Sequence, residues 1–136
     1  LAVTKRKRLT INTDGAAVPN PGPAGIGALL RWADGAIAAE ISEYIGDSTN
    51  NKAEFLALIA ALEKALELGA DHVDLRIDSE LLVRQIQGRY RSKLMNDLYE
   101  QAMSLLEEFK SYTVRHVPRE QNKEADALSK RALRLR

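Results

Sequence analysis

A single α/β domain is the fold class this sequence predicts. Three observations carry it: segments in which apolar and polar residues alternate, longer segments with apolar residues at helical spacing between them, and glycine, proline or Asx breakers at the junctions. Leu9, Ile11 and Thr13 alternate with Thr10, Asn12 and Asp14, so a first strand is expected to end at Asp14-Gly15. The stretch AAVPNPGPAG follows with three prolines and two glycines and reads as an ordered loop. Ile26 to Trp32 and Ala36 to Tyr44 have strand character and are joined at Ala33-Asp34-Gly35, where Asp-Gly signals a hairpin. From Asn51 to Leu68, Phe55, Leu58, Ile59, Leu62 and Leu66 share a helical face that Gly69 terminates. Val73, Leu75 and Ile77 alternate as a fourth strand, after which Ser79 can cap a short helix carrying Leu82, Val83 and Ile86 up to Gly88. A third helix is expected from about Leu94 to Phe109, a fifth strand from Tyr112 to Val117 broken at Pro118, and a last helix capped by Asn122 with Ala125, Leu128, Ala132 and Leu135 on one face.

The resulting order, β-β-β-α-β-α-α-β-α, contains no internal repeat or linker, so residues 1–136 read as one domain, with 1–8 a basic segment that either joins the first strand or forms a tail. Enough helix separates the first and fourth strands to make them parallel neighbours. Asp14 and Asp78 then stand at their carboxyl ends, where open α/β sheets collect ligands.

Composition narrows the chemistry. Cysteine is absent and only His72 and His116 are present, which excludes thiolate sites and disfavours a histidine-rich zinc site. Oxygen ligands remain. No apolar run approaches the roughly 20 residues of a membrane span, and the charged start lacks the apolar stretch of a secretory signal. A soluble, cytoplasmic protein with no membrane partner is the expectation, and a chain beginning with Leu1 is read as trimmed or as part of something longer. Net charge is only +1, yet positive charge gathers in Lys5-Arg6-Lys7-Arg8, in Arg84, Arg89, Arg91 and Lys93, and in Lys130, Arg131, Arg134 and Arg136. Such clusters suit a polyanion, although solvated surface charge is the plainer reading of each taken alone.

Four acids stand where the expected elements would meet: Asp14, Glu54, Asp78 and Asp126. Each has a plain structural alternative: turn initiation for Asp14, helix capping for Asp78, a capping box with Asn51 for Glu54, surface exposure for Asp126. Jointly the alternatives fare worse, because the strand order alone sets Asp14 beside Asp78. Clustered carboxylates repel one another without a cation, raising some pKa values. With a pair of hard divalent ions about 4 Å apart they would form a site for phosphodiester hydrolysis, and Mg²⁺ should then stabilise the protein.

The blocks TDGAAVPNPGPAGIGALL, TNNKAEFLALIAAL, IDSELLVRQI and NKEADALSKRA, in this order and spacing, resemble ribonuclease H type 1 over nearly the whole chain. The resemblance implies a ribonuclease H-like fold, a five-stranded mixed sheet of order 3-2-1-4-5 with helices on both faces. It also implies endonucleolytic cleavage of the RNA strand of RNA/DNA hybrids with two Mg²⁺ or Mn²⁺ ions, leaving 5′-phosphate and 3′-hydroxyl ends. By the same similarity Asp14, Glu54, Asp78 and Asp126 match the metal-binding carboxylates. Asp14 would bridge both ions, Glu54 and Asp78 would serve one site, and Asp126 the other. His116, ten residues before Asp126, matches a mobile histidine of many members; a packed or exposed structural histidine at a strand end is the plain alternative, and Arg119 and Glu120 are rivals for the role. Asn20, Asn50 and Asn51 match minor-groove contacts and Thr49 a residue that helps hold a DNA-strand phosphate, a task Arg84 could share. Turn formation and helix capping are the alternative roles of the three asparagines. Two departures stand out: Glu80 replaces a glutamine that often follows the Asp-Ser pair, and only Arg89 to Lys93 occupies the place where many bacterial members carry an extra helix and basic loop. The compact type, a monomer, is implied, with fusion to another domain left open. Two rivals remain: the same fold acting on another substrate such as double-stranded RNA, and a non-catalytic nucleic-acid binding module.

Overall fold

The computed structural model describes residues 7–88 and 96–136. Its elements are β1 (Arg8–Ala17), β2 (Gly22–Trp32), β3 (Ile37–Ser48), α1 (Asn50–Glu67), β4 (His72–Ile77), α2 (Glu80–Ile86), α3 (Asn96–Leu106), β5 (Ser111–His116), a 3-10 turn over Arg119–Gln121 and α4 (Lys123–Arg134). Lys5, Arg6, Arg89, Arg91, Lys93, the shortened segment Arg89 to Lys93 and the expected start of the third helix at Leu94 lie outside the described residues.

The five strands form one mixed sheet in the order β3-β2-β1-β4-β5, as the family resemblance implied. β1 is antiparallel to β2 and β2 to β3, whereas β4 lies parallel to β1 and to β5. The parallel β1–β4 register ends at Thr13 opposite Ile77. The residue after each is an aspartate, Asp14 within β1 and Asp78 just past β4, which sets the two acids side by side where β4 stops.

Several expected boundaries move: β2 begins at Gly22 instead of Ile26, and α3 ends at Leu106 instead of Phe109. β1 does not end at Asp14-Gly15 but runs on to Ala17, because Asp14, Gly15, Ala16 and Ala17 pair with Gly27, Ile26, Gly25 and Ala24 of β2. The proline- and glycine-rich loop therefore shrinks to Val18–Pro21, with cis bonds before Pro19 and Pro21. β3 likewise continues past Tyr44 to Ser48. An irregularity skips Ile45 between the Ala24–Gly46 and Gly25–Tyr44 pairs, and Gly46 absorbs it at φ +79°.

One sheet face is covered by α1, α2 and α3, the other by α4. Phe55, Leu58 and Leu62 of α1 are fully buried against Leu9, Ile11, Leu30 and Leu75, and Leu82, Ala102 and Leu106 extend this core beneath α2 and α3. Burying a side chain such as Phe55 or Leu58 contributes about 1.5–3 kcal/mol each, so this layer is what fixes the strand frame. α4 lays Ala125, Leu128 and Ala132 on β1, β2 and β3. On that side the residues of β4 and β5 stay half-buried or exposed. No helix among the described residues is long and apolar enough to cross a membrane.

Candidate active site

Two close approaches of backbone assemble the site. At Gly15 of β1 a Cβ would lie 2.4 Å from the Ala53 carbonyl and 2.6 Å from the Glu54 nitrogen, so only glycine lets the first turns of α1 rest on β1 beside Asp14. At Gly27 of β2, the register partner of Asp14, a Cβ would lie 2.4 Å from the Ala125 oxygen and 2.5 Å from the Ser129 nitrogen. This seats the first turns of α4, and with them Asp126, over the same point. Strand, helix and helix thus converge on Asp14 from three directions.

Each acid is held by a protein group. Asp14 is 9% exposed, and the fully buried Ser129 hydroxyl of α4 stands 3.1 Å from its Oδ2 and 2.8 Å from the Asp126 carbonyl, two acceptors for one proton. Asn122, also fully buried, donates through Nδ2 to Asp78 Oδ2 at 3.1 Å and to the Thr13 carbonyl at 2.9 Å, while its Oδ1 accepts from Asn12 Nδ2 at 3.0 Å. Glu54 accepts a hydrogen bond from Ser79, and Asp126 Oδ2 lies 3.1 Å from Lys130 Nζ.

The electrostatics report crowding. Burial, then the charge of Asp78, raises the Asp14 pKa from 3.8 to about 7; the Ser129 hydrogen bond opposes this, while the charge of Asp126 and a hydrogen bond with its carboxyl add to it. Burial likewise raises Glu54 from 4.5 to about 7, opposed by the Ser79 hydrogen bond, reinforced by Asp78 and opposed by the charge of Arg119. The four acids are therefore linked through pairs, Asp14 to Asp78 and Asp126, and Glu54 to Asp78. They do not form a finished cage: among the described residues no three His, Cys, Asp or Glu side chains are arranged to hold a metal ion. As a donor set the four fit a hard cation, being oxygen only and too crowded to ionise together easily.

The amides gather at the start of α1. Thr49, not Asn50 or Asn51, is its N-cap, accepting from the Lys52 nitrogen at 3.2 Å, so the capping-box alternative for Glu54 fails by register. Asn50 Oδ1 accepts from the Ala17 nitrogen at 2.7 Å, and the Asn50 nitrogen donates to Asn20 Oδ1 at 3.0 Å, tying the β1–β2 connection to the helix. Asn51 Nδ2 donates to Gln85 Oε1 at 3.1 Å. Arg84 is exposed on α2 and pairs with Glu80 at 2.6 Å, so the departure at Glu80 is matched by the arginine one turn on.

His116 ends β5 opposite Ile77 and is exposed. Among His116, Arg119 and Glu120, it is Arg119 whose charge reaches Glu54. Sequence reasoning gave Asn122 and Ser79 only capping roles and passed over Ser129. Asn122 stands at the N-cap position of α4 but makes no side-chain cap bond, its amide being committed to Asp78 and Thr13. The available signal for Ser129 was a polar residue on the Ala125, Leu128, Ala132 face of a helix.

A family model described as reverse transcriptase-like matches residues 12–132. Ribonuclease HI of Halobacterium salinarum is 46% identical over 123 residues, or 88% of this chain, which spans 61% of that relative's length. Among solved structures, RNase H1 from the halophilic archaeon Halobacterium salinarum superposes with a TM-score of 0.92 at 42% identity, covering 95% of this chain and 99% of that one. LC11-RNase H1 in complex with RNA/DNA hybrid superposes with a TM-score of 0.86 at 39% identity, covering 93% and 97%. With the sheet order, the crowded acids and these likenesses together, this chain belongs to the ribonuclease H type 1 family.

Proposed function

We propose that this protein is an endoribonuclease that hydrolyses the RNA strand of RNA/DNA hybrids, with Asp14, Glu54, Asp78 and Asp126 holding two Mg²⁺ or Mn²⁺ ions. The observation that carries the reading is the pair of carboxyls, Asp14 and Glu54, both pushed up to about 7 beside Asp78. A fold gains nothing from acids packed this closely, and perturbed acids in a cleft mark functional sites. When bound, the ions would supply activation of water and neutralisation of charge at the scissile phosphate. Hydrolysis adds water across the P–O3′ bond, leaving 5′-phosphate and 3′-hydroxyl ends.

The remaining roles belong to the chain's own groups. Asn122 aims Asp78 and Ser129 aims Asp14, so each acid enters the reaction already oriented. Asn20, Asn50 and Asn51, linked around the start of α1, offer amides to 2′-hydroxyls and base edges without demanding one sequence. Thr49 stands at the same helix start for a DNA-strand phosphate, and Arg84 is the nearby guanidinium on α2, partly neutralised by Glu80. The charge of Arg119 favours ionised Glu54, which supports it as the rival to His116 for a role near the acids.

The test is cleavage of end-labelled RNA/DNA, RNA/RNA and DNA/DNA duplexes with Mg²⁺, Mn²⁺ or EDTA, beside an Asp78→Asn control. Cutting confined to the hybrid's RNA strand, abolished by EDTA and by the substitution, is the expected result. Equal cutting of RNA/RNA would transfer the site to a broader substrate class, and binding without cutting would make the protein a nucleic-acid binding module.

A further inference from the structure

The α4-side face of β4 and β5 carries two unlike rows of side chains. In one, Asp74 is saturated: Thr113 Oγ1 donates to it at 2.7 Å, His72 Nε2 lies at 2.8 Å, and Arg8 Nη1 at 3.3 Å. The next row toward the acids holds Asn12, Arg76 and Arg115 in direct register across β1, β4 and β5. Here the two cations are unmatched. Neither guanidinium makes an ion pair or hydrogen bond among the described residues, and Arg76 Nε is shielded from water with no acceptor. The Asn12 amide is already directed to Asn122 Oδ1 and the Gln121 carbonyl.

Like charges directly opposite one another across strands destabilise a sheet, and a shielded donor without an acceptor is costly. Such an exception among buried polar groups calls for a partner from outside the fold. A phosphodiester answers both needs, since its two unesterified oxygens match the guanidinium fork and its charge separates the two cations. The location also fits. Asp78 follows Arg76 by two residues on the same strand line, about 7 Å along an extended chain. Both belong to the face over which Asn122 reaches, because Asn122 touches Asp78 and also the Asn12 neighbour of Arg76. An anion held there lies next to the acidic pocket, on the side away from Thr49 and Asn50.

We propose that Arg76 and Arg115 form a phosphodiester-binding subsite for the nucleic-acid strand that crosses the acidic pocket. The assignment rests on the nucleic-acid reading above and extends its footprint beyond the start of α1. It predicts a contact that costs the free protein stability and repays it on binding.

The experiment measures binding of a fluorescein-labelled RNA/DNA hybrid by anisotropy in EDTA across a salt series. Wild type, Arg76→Gln, Arg115→Gln and the double variant are compared with Arg134→Gln, an exposed arginine of α4. The double variant should bind about 5- to 20-fold more weakly at low salt, and its slope of log Kd against log salt should fall by about 1, the signature of one lost phosphate contact. Thermal melts of the free variants should be unchanged or higher. An affinity and slope within twofold of wild type overturn the subsite, as does an equal loss in Arg134→Gln. Single-stranded and duplex DNA probes separate the two levels of the argument. Equal wild-type binding to every probe, with the double variant weakened on all, keeps the subsite and removes the hybrid preference. Selective hybrid binding that the double variant retains in full keeps the hybrid reading and removes the subsite.

Discussion

Replacing Asp14 by asparagine should make the metal-free protein more stable while abolishing the proposed hydrolysis. In the folded chain the Asp14 pKa is raised from 3.8 to about 7, first by burial and next by the charge of Asp78. A raised carboxyl pKa opposes folding once the unfolded chain ionises. Below about pH 4 the group is neutral in both states and contributes no penalty. Between 3.8 and about 7 the unfolded state releases its proton and the folded state keeps it, so stability falls by about 1.4 kcal/mol per pH unit. Above about 7 the loss levels off, at an upper bound of roughly 4 kcal/mol before relaxation of the site reduces it. Asp14→Asn removes this term and leaves Ser129 an acceptor in the amide oxygen. Urea unfolding followed by circular dichroism in EDTA should show wild type and variant converging near pH 4. At pH 8 the variant should be ahead by about 2–4 kcal/mol. A residual slope from Glu54, also raised to about 7, should persist in both proteins. Adding millimolar Mg²⁺ at pH 8 should stabilise wild type more than the variant. Parallel stability curves for the two proteins across this range would refute the account of Asp14 as a buried, crowded carboxyl.

Two further substitutions probe how the acids are held. Asn122→Ala strips Asp78 of its donor and leaves the Thr13 carbonyl without this partner, so unfolding free energy should drop by about 1–3 kcal/mol and kcat by about 10- to 100-fold; a variant with normal kcat would remove Asn122 from the mechanism. Gly27→Ala sets a methyl against the Ala125 oxygen and Ser129 nitrogen, both backbone and unable to swing away, so α4 must shift at a cost of about 1–3 kcal/mol. A melting point equal to wild type would show that α4 does not rest where the structure has it.

Much of the frame was legible because hydrophobic periodicity reports strands and helices directly. Val73, Leu75 and Ile77 alternate and are buried in β4, and the apolar positions named for α1 are the ones that fill the core, apart from half-buried Leu66. Boundaries failed where glycine and proline signalled termination but served another end. Gly15 suggested the end of a strand, yet its missing Cβ makes room for α1 while β1 continues in register with β2. The same ambiguity hid the cap of α1: Thr49, Asn50 and Asn51 are all good capping residues, and only the register of the turn selects Thr49. At the site, acids are visible in sequence but their supports are not, since a buried Ser129 or Asn122 differs from a surface one only through tertiary contacts.

The extension of β1 past Asp14 changes what kind of site this is. An acid at a strand end sits on a loop and can adjust; Asp14 is instead locked in a ladder, paired with Gly27, with Thr13 before it bound to β4. Its backbone is therefore the fixed point, and α1 and α4 deliver Glu54 and Asp126 to it through contacts that Gly15 and Gly27 alone permit. Asp78 has less backbone support, lying just beyond β4, and the fully buried Asn122 supplies in side-chain hydrogen bonds what the ladder supplies to Asp14. Rigid placement matters because carboxylates raised to about 7 would otherwise relieve their repulsion by moving apart. The strain is held in place by backbone packing at Gly15 and Gly27, and the hydrogen bonds from Ser129 and Asn122 keep the crowded acids oriented where the proposed ions would sit.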